Sequence, residues 1–111
     1  MKKNYLIIPI YELYHIDSLA EVKFNNHVAE YVKDQRSITD RREIYSALKW
    51  AVENPGFNYI ALMKEAPGHG TLKFSNAEIH QYVLNFKSFM EDGKYGLLTD
   101  VRPPKKLPHE Q

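Results

Sequence analysis

From residue 79 onward the apolar positions fall at Ile79, Tyr82, Val83, Phe86, Phe89 and Met90, a spacing that gathers them on one face of an α-helix. Ser75 and Glu78 stand just before them as a capping box, in which a small polar side chain and an acid three residues later satisfy each other's orphan amides. The pattern predicts a helix over residues 76–92, stopped by Gly93. A second stripe, Ile44, Ala47, Leu48, Ala51 and Val52, follows Asp40 and Glu43 at the same box spacing and runs out at Asn54-Pro55-Gly56. It predicts a helix over 41–53. A third box, Ser18 and Glu21, leads to Phe24, Val28, Tyr31 and Val32 on one face and predicts a helix over 19–35, weakened by Asn25 and Asn26.

Residues 4–13 and 57–66 read two ways. "NYLIIPIYEL" is rich in strand formers, yet Pro9 bars it from a central strand and leaves an edge strand or a helix start. "FNYIALMKEA" fits a short strand or another helical turn equally well. Paired as strands, the two would make a small α+β domain. Otherwise the chain is mainly α, a compact bundle of three to four helices with room for a short N-terminal strand or small hairpin. At 111 residues one core is expected, over residues 1–101, followed by a flexible tail of 102–111, "RPPKKLPHEQ", which offers three prolines and little to bury.

Charge narrows the partners. Of 15 basic and 14 acidic side chains, Arg102, Lys105, Lys106 and Glu110 lie in the tail, leaving 12 and 13 upstream. A body so near neutrality carries no electrostatic footprint for nucleic acid. No apolar run approaches the roughly 18 residues that a membrane span needs. The opening "MKKNYLIIPIYELYHID" is interrupted by Glu12 and lacks a small-residue cleavage site, so it does not read as a secretory leader. The absence of cysteine suits a reducing compartment, and a cytoplasmic location is expected.

The stretch that most resembles active-site chemistry is "APGHGTLKFSNAEI", residues 66–79. It lacks the glycine, lysine and hydroxyl offsets of a phosphate loop, and Thr71 to Phe74 separate Gly70 from the helix cap. Pro-Gly and paired glycines are turn chemistry first, so the stretch reads as a reversal that delivers the chain to Ser75. An enzyme reading would use His69 or His80 with a carboxylate across a subunit interface of a small oligomer. His15, His27, His80 and His109 show no zinc-type spacing, and neither metal nor cofactor is expected. A regulatory or structural subunit is the remaining alternative.

Trp50 lies off the stripe of the second helix, where it either packs against a second layer or is an exposed anchor, and Leu84 lies off that of the third among His80, Lys87 and Glu91. With eight tyrosines in the chain, such positions leave room for an aromatic interface, and Tyr45, Trp50, His80 and Leu84 are the candidate partner contacts. "LKWAVENPGFNYIALMKEA" and "FSNAEIHQYVLNFKSFME" resemble the C-terminal half of immunity proteins from bacterial contact-dependent growth inhibition and related polymorphic toxin systems. The residues that carry the resemblance are Trp50, Ala51, Asn54, Pro55, Phe57 and Tyr59, then Phe74, Ser75, Asn76, Glu78 and Ile79. It implies a non-enzymatic protein that captures a cognate toxin domain stoichiometrically in the cytoplasm. It transfers no contact residue, since those vary between systems.

Overall fold

A computed structural model describes residues 2–64 and 72–105. They form an all-helical globule, without a strand among the described residues: α1 (Ile7–Ile10), α2 (Asn26–Gln35), α3 (Ile38–Val52), α4 (Tyr59–Met63) and α5 (Asn76–Glu91), joined by short 3-10 turns. The mainly α expectation therefore holds, and the α+β alternative does not. No described helix is long and apolar enough to cross a membrane.

The N-terminal residues are helical in spite of their strand formers. Turns at Lys3–Leu6 and Tyr11–His15 flank α1 in one nearly continuous run. Leu6, Ile10 and Leu13 recur on one face of it and are fully buried, and this burial overrides β propensity. Pro9 sits in the first turn of α1, directly after the turn Lys3–Leu6, a place where proline is tolerated. Residues 57–66 resolve likewise: Asn58 caps the short α4 through a 2.9 Å bond from the Ala61 amide, and Glu65 and Ala66 lie outside the described residues.

Two of the expected helix starts move. The Ser18–Glu21 capping box forms, but it opens only the 3-10 turn Leu19–Glu21. The chain then runs extended to Asn25, whose side chain accepts the Val28 amide at 3.0 Å and starts α2. The asparagine taken as a weak helix former is in fact the cap. At α3 the cap is Ser37 rather than Asp40: its hydroxyl accepts the Asp40 amide at 3.2 Å, so the helix begins earlier than expected. α5 starts at the expected Ser75 box, but Gly93 is not its left-handed stop. Gly93 opens a further turn, Gly93–Tyr95, and the left-handed residue is Gly96, at φ 66°. The glycine-rich turn bearing His69 lies outside the described residues.

α3 packs against α5 through Ile44, Ala47, Leu48 and Ala51 on one side and Ile79, Val83, Phe86 and Met90 on the other, with the N-terminal run laid against both. α4 is pinned to this pair by polar bonds. The Tyr59 hydroxyl donates to the carbonyls of Asn54 at 2.7 Å and Ala51 at 3.1 Å. The Asn76 side chain accepts the Tyr59 amide at 2.8 Å and donates to the Phe57 carbonyl at 2.9 Å.

The chain after α5 is held by cations. Arg41, 0% exposed, donates through Nη1 to Leu97 O and Nη2 to Asp100 O, both at 2.7 Å, and through Nε to Arg36 O at 3.0 Å. Lys33, 5% exposed, meets Glu30 at 2.7 Å and the Tyr95 carbonyl at 2.8 Å. Residues 101–105 are exposed and lie along α2, where Arg102 bridges Asp100 at 2.7 Å and Glu30 at 3.0 Å and the Lys105 amide donates to Asp34 O at 2.8 Å.

This arrangement predicts an acid response. The Arg102 guanidinium, then the Lys33 charge, hold the Asp100 carboxyl at about 2. A carboxyl depressed in the folded state contributes its stability above the unfolded value of about 4 and loses it as pH falls through the folded value. The pairing of Asp100 with Arg102 and with Lys33 of α2 is therefore complete at pH 5 and lost on going from about 4 toward 2, while the Arg41, Glu30 and Asp34 contacts of the segment remain. A carboxyl titration of Asp100 by NMR checks this. An ordinary aspartate midpoint would refute the clamp.

Candidate functional site

α2 is the least integrated of the long helices. Its main packing partner is the turn Gly93–Tyr95, and it does not close against the N-terminal run. Helices in direct contact sit about 8–10 Å apart. Here the space between α2 and residues 7–16 is instead a half-open cleft of about 740 Å³. One wall is Ile7, Ile8 and Tyr11, and the other is Val28, Tyr31 and Val32 of α2. Phe24, Tyr82, Phe86 and Ile44 form the floor.

The floor is rigid. Phe24 contacts the rings of Tyr82, Phe86 and Phe89 at centroid separations of 6.2, 5.9 and 5.1 Å. The Tyr82 hydroxyl is buried and donates to Pro9 O at 2.6 Å, tying α5 to the N-terminal run. Burial, and secondarily the Glu12 carboxylate, push that hydroxyl far above the usual tyrosine range, so it is a permanent donor and not an acid–base group. Tyr31 stands at the rim, 56% exposed.

Polar groups in the cleft are few and unevenly distributed. Lys23 and His27 stand at the start of the α2 wall, Gln35 and Arg36 at its end. Glu21, which also lines it, is spent on the amides of Asp17 and Ser18 at 2.7 and 2.8 Å. Arg36 is half-buried, and among the described residues its guanidinium makes no hydrogen bond or ion pair. The carbonyl of Arg36 is already taken by Arg41 Nε.

The four residues singled out from sequence do not line this cleft. They are half-buried, Tyr45 and His80 between α3 and α5 and Trp50 toward the N-terminal run. The Tyr45 hydroxyl donates to Glu91, which also pairs with Lys87 at 2.7 Å. That bond to the carboxylate, with burial, raises the Tyr45 hydroxyl. Trp50 meets Phe57 edge to face at 5.1 Å, with the Lys3 ammonium 4.9 Å from its ring. His80 Nε2 bonds the Ala51 carbonyl at 3.0 Å and its ring lies 5.9 Å from that of Tyr59. Leu84 sits on the same α5 flank, half-buried.

What sequence reasoning missed is the cleft. Its one signal was that Ile7, Ile8 and Tyr11 are apolar on the side of the N-terminal run opposite Leu6, Ile10 and Leu13. An element apolar on two faces needs a second neighbour. Among the described residues no three His, Asp or Glu side chains converge on a metal-sized site. No protein-family model, curated protein or solved structure matches the chain.

Proposed function

We propose that the protein is a stoichiometric protein-binding inhibitor, an immunity protein that neutralises a cognate toxin domain, and that it binds through the cleft between α2 and the N-terminal run. The observation that carries this is the cleft itself: an apolar trough, floored by fixed aromatic rings, rimmed by Tyr11 and Tyr31, and filled by no described part of the chain. Buried aromatic pockets with a polar rim are where protein partners place their anchor side chains.

The division of labour supports the same reading. Asn54, Phe57, Tyr59, Ser75, Asn76 and Glu78, among the residues that resemble immunity proteins, build the α3–α4–α5 scaffold through the bonds described above. The cleft is built chiefly by residues 7–36, outside the resemblance, where contact residues free to differ between systems would sit. Inhibition of this kind requires a complementary surface and a stable core, and no bond-making group.

The test begins with the neighbouring genes, where a toxin gene directly upstream is expected, and continues with co-expression of its toxin domain and measurement of the complex mass by light scattering. A one-to-one complex is expected, and Val28→Asp, which sets a charge in the trough, weakens it by about a hundredfold. No complex, or one indifferent to Val28→Asp and Tyr31→Ala, would defeat the assignment.

A further inference from the structure

α2 is fixed at both ends and fastened along one flank, and the cleft lies on the other. Before the helix, the Phe24 carbonyl accepts the Tyr95 hydroxyl at 3.3 Å and the Phe24 ring is set among Tyr82, Phe86 and Phe89. After it, the Arg36 carbonyl is held by Arg41. Asn25 and Arg36, which flank the helix, are extended, and such joints can absorb a rotation of the element between them. At about 100° per residue, Val28, Tyr31, Val32 and Gln35 share the cleft side, while Glu30, Lys33 and Asp34 fall on roughly the opposite side. There residues 95–105 grip them. Lys33 Nζ donates to Tyr95 O at 2.8 Å and pairs with Asp100 at 3.7 Å, Arg102 pairs with Glu30 at 3.0 Å, and the Lys105 amide donates to Asp34 O at 2.8 Å. The same segment is anchored in the core, Leu97 being fully buried with its carbonyl held by Arg41.

The position so imposed is not the one that the side chains of α2 favour. Val28 and Val32 are half-buried and stand across the cleft from Ile7 and Ile8, so closure would bury apolar surface on both walls. Asp34 Oδ1 is shielded from water and accepts no hydrogen bond among the described residues, which carries a cost. Only Ala29 and Lys33 of the helix are buried, so little packing resists a roll. We propose that residues 95–105 act as a strap that holds α2 away from the N-terminal run, and that releasing the strap lets α2 roll about the line from Phe24 to Arg36 and close the cleft. One helix then has two positions, one that admits an occupant and one that does not. The strap lies outside the cleft, so whatever neutralises or displaces it changes binding without touching the binding surface. This goes beyond the inhibitor reading and holds for any occupant of the cleft.

The sequence holds no cysteine, so nitroxide labels on Glu12→Cys and Tyr31→Cys, exposed on opposite walls of the cleft, report its width. Asp100→Asn with Arg102→Gln removes the side-chain pairs, and Lys105→Pro removes the amide donor. All three positions are exposed or half-buried, and the buried Arg41 and Leu97 are untouched. Electron–electron distance measurement on the full chain is expected to give a label separation several ångströms shorter in this triple variant than in the parent, as α2 nears the contact separation of about 8–10 Å. The amides of α3 and α5 should stay as protected from hydrogen exchange as in the parent. An unchanged separation overturns the proposal, and so does a longer or broadly spread one, which would make the strap an attachment of α2 to the core and not a brace against closure. If the triple variant loses protection in α3 and α5, Arg102→Gln alone is judged by the same criterion, with a smaller shift in the same direction expected. No toxin is present, so failure of the strap is distinct from failure of the inhibitor reading.

Discussion

Arg41→Ala lowers the unfolding free energy by about 3–4 kcal/mol in urea titration, a large share of the roughly 5–15 kcal/mol that holds a domain of this size together. The guanidinium is fully buried and donates to the carbonyls of Arg36, Leu97 and Asp100. Burial lowers its proton affinity, yet a guanidinium in a protein remains charged, so the folded state holds a cation whose solvent has been replaced by three carbonyl dipoles. Alanine strips those carbonyls of their donor and leaves a hole under the chain after α5. Leu97, itself 0% exposed, loses its fixed position at the same time. Arg41→Lys keeps the charge but cannot reach three diverging acceptors, so it recovers only part of the loss. Hydrogen exchange should show the amides of residues 95–100 opening first. A variant within about 1 kcal/mol of the parent would mean that these bonds contribute little beyond what water supplies.

The sequence placed this arginine on the buried face, three residues before Ile44 and seven before Leu48, but its charge and its position in the first turn of a helix expected over 41–53 read as solvated. No local pattern shows that the carbonyls of Arg36, Leu97 and Asp100 meet it there. Where periodicity and capping agree, as at Ser75 and the Ile79–Met90 stripe, the element was legible almost to the residue. Where a box lacked a following turn of apolar contacts, as at Ser18, it closed a single 3-10 turn and the chain left the helix. The N-terminal run was ambiguous because its β-branched residues and its Leu6, Ile10, Leu13 spacing point opposite ways, and tertiary burial decides between them. The cleft was the least legible feature, since it arises from a distance between two elements, and no local pattern encodes that distance. Tyr45 and His80 looked available for the matching reason: a single helix's stripe does not reveal that Glu91 and the Ala51 carbonyl will come to meet them, whereas Trp50 packs against a second layer, one of the two readings its off-stripe position allowed.

Leu48→Ala should cost about 3 kcal/mol, whereas Val28→Ala and Val32→Ala should each cost under about 1 kcal/mol, and the contrast carries more than either value. Leu48 is 0% exposed at the centre of the α3–α5 contact, so its loss leaves a void that neighbouring helices cannot fill without breaking other packing. The valines are apolar and half-buried, yet one side of each faces the cleft. Removing methyl groups there forfeits few contacts, because there is no atom opposite them to lose. Chemical denaturation of the three variants at one temperature measures the difference. If the valines cost as much as the leucine, α2 is packed onto the N-terminal run in solution, the cleft does not exist as a binding surface, and both proposals built on it fall together. If they are cheap, the chain maintains apolar surface that its own fold does not use, and a ligand or partner is the physical reason for keeping it there.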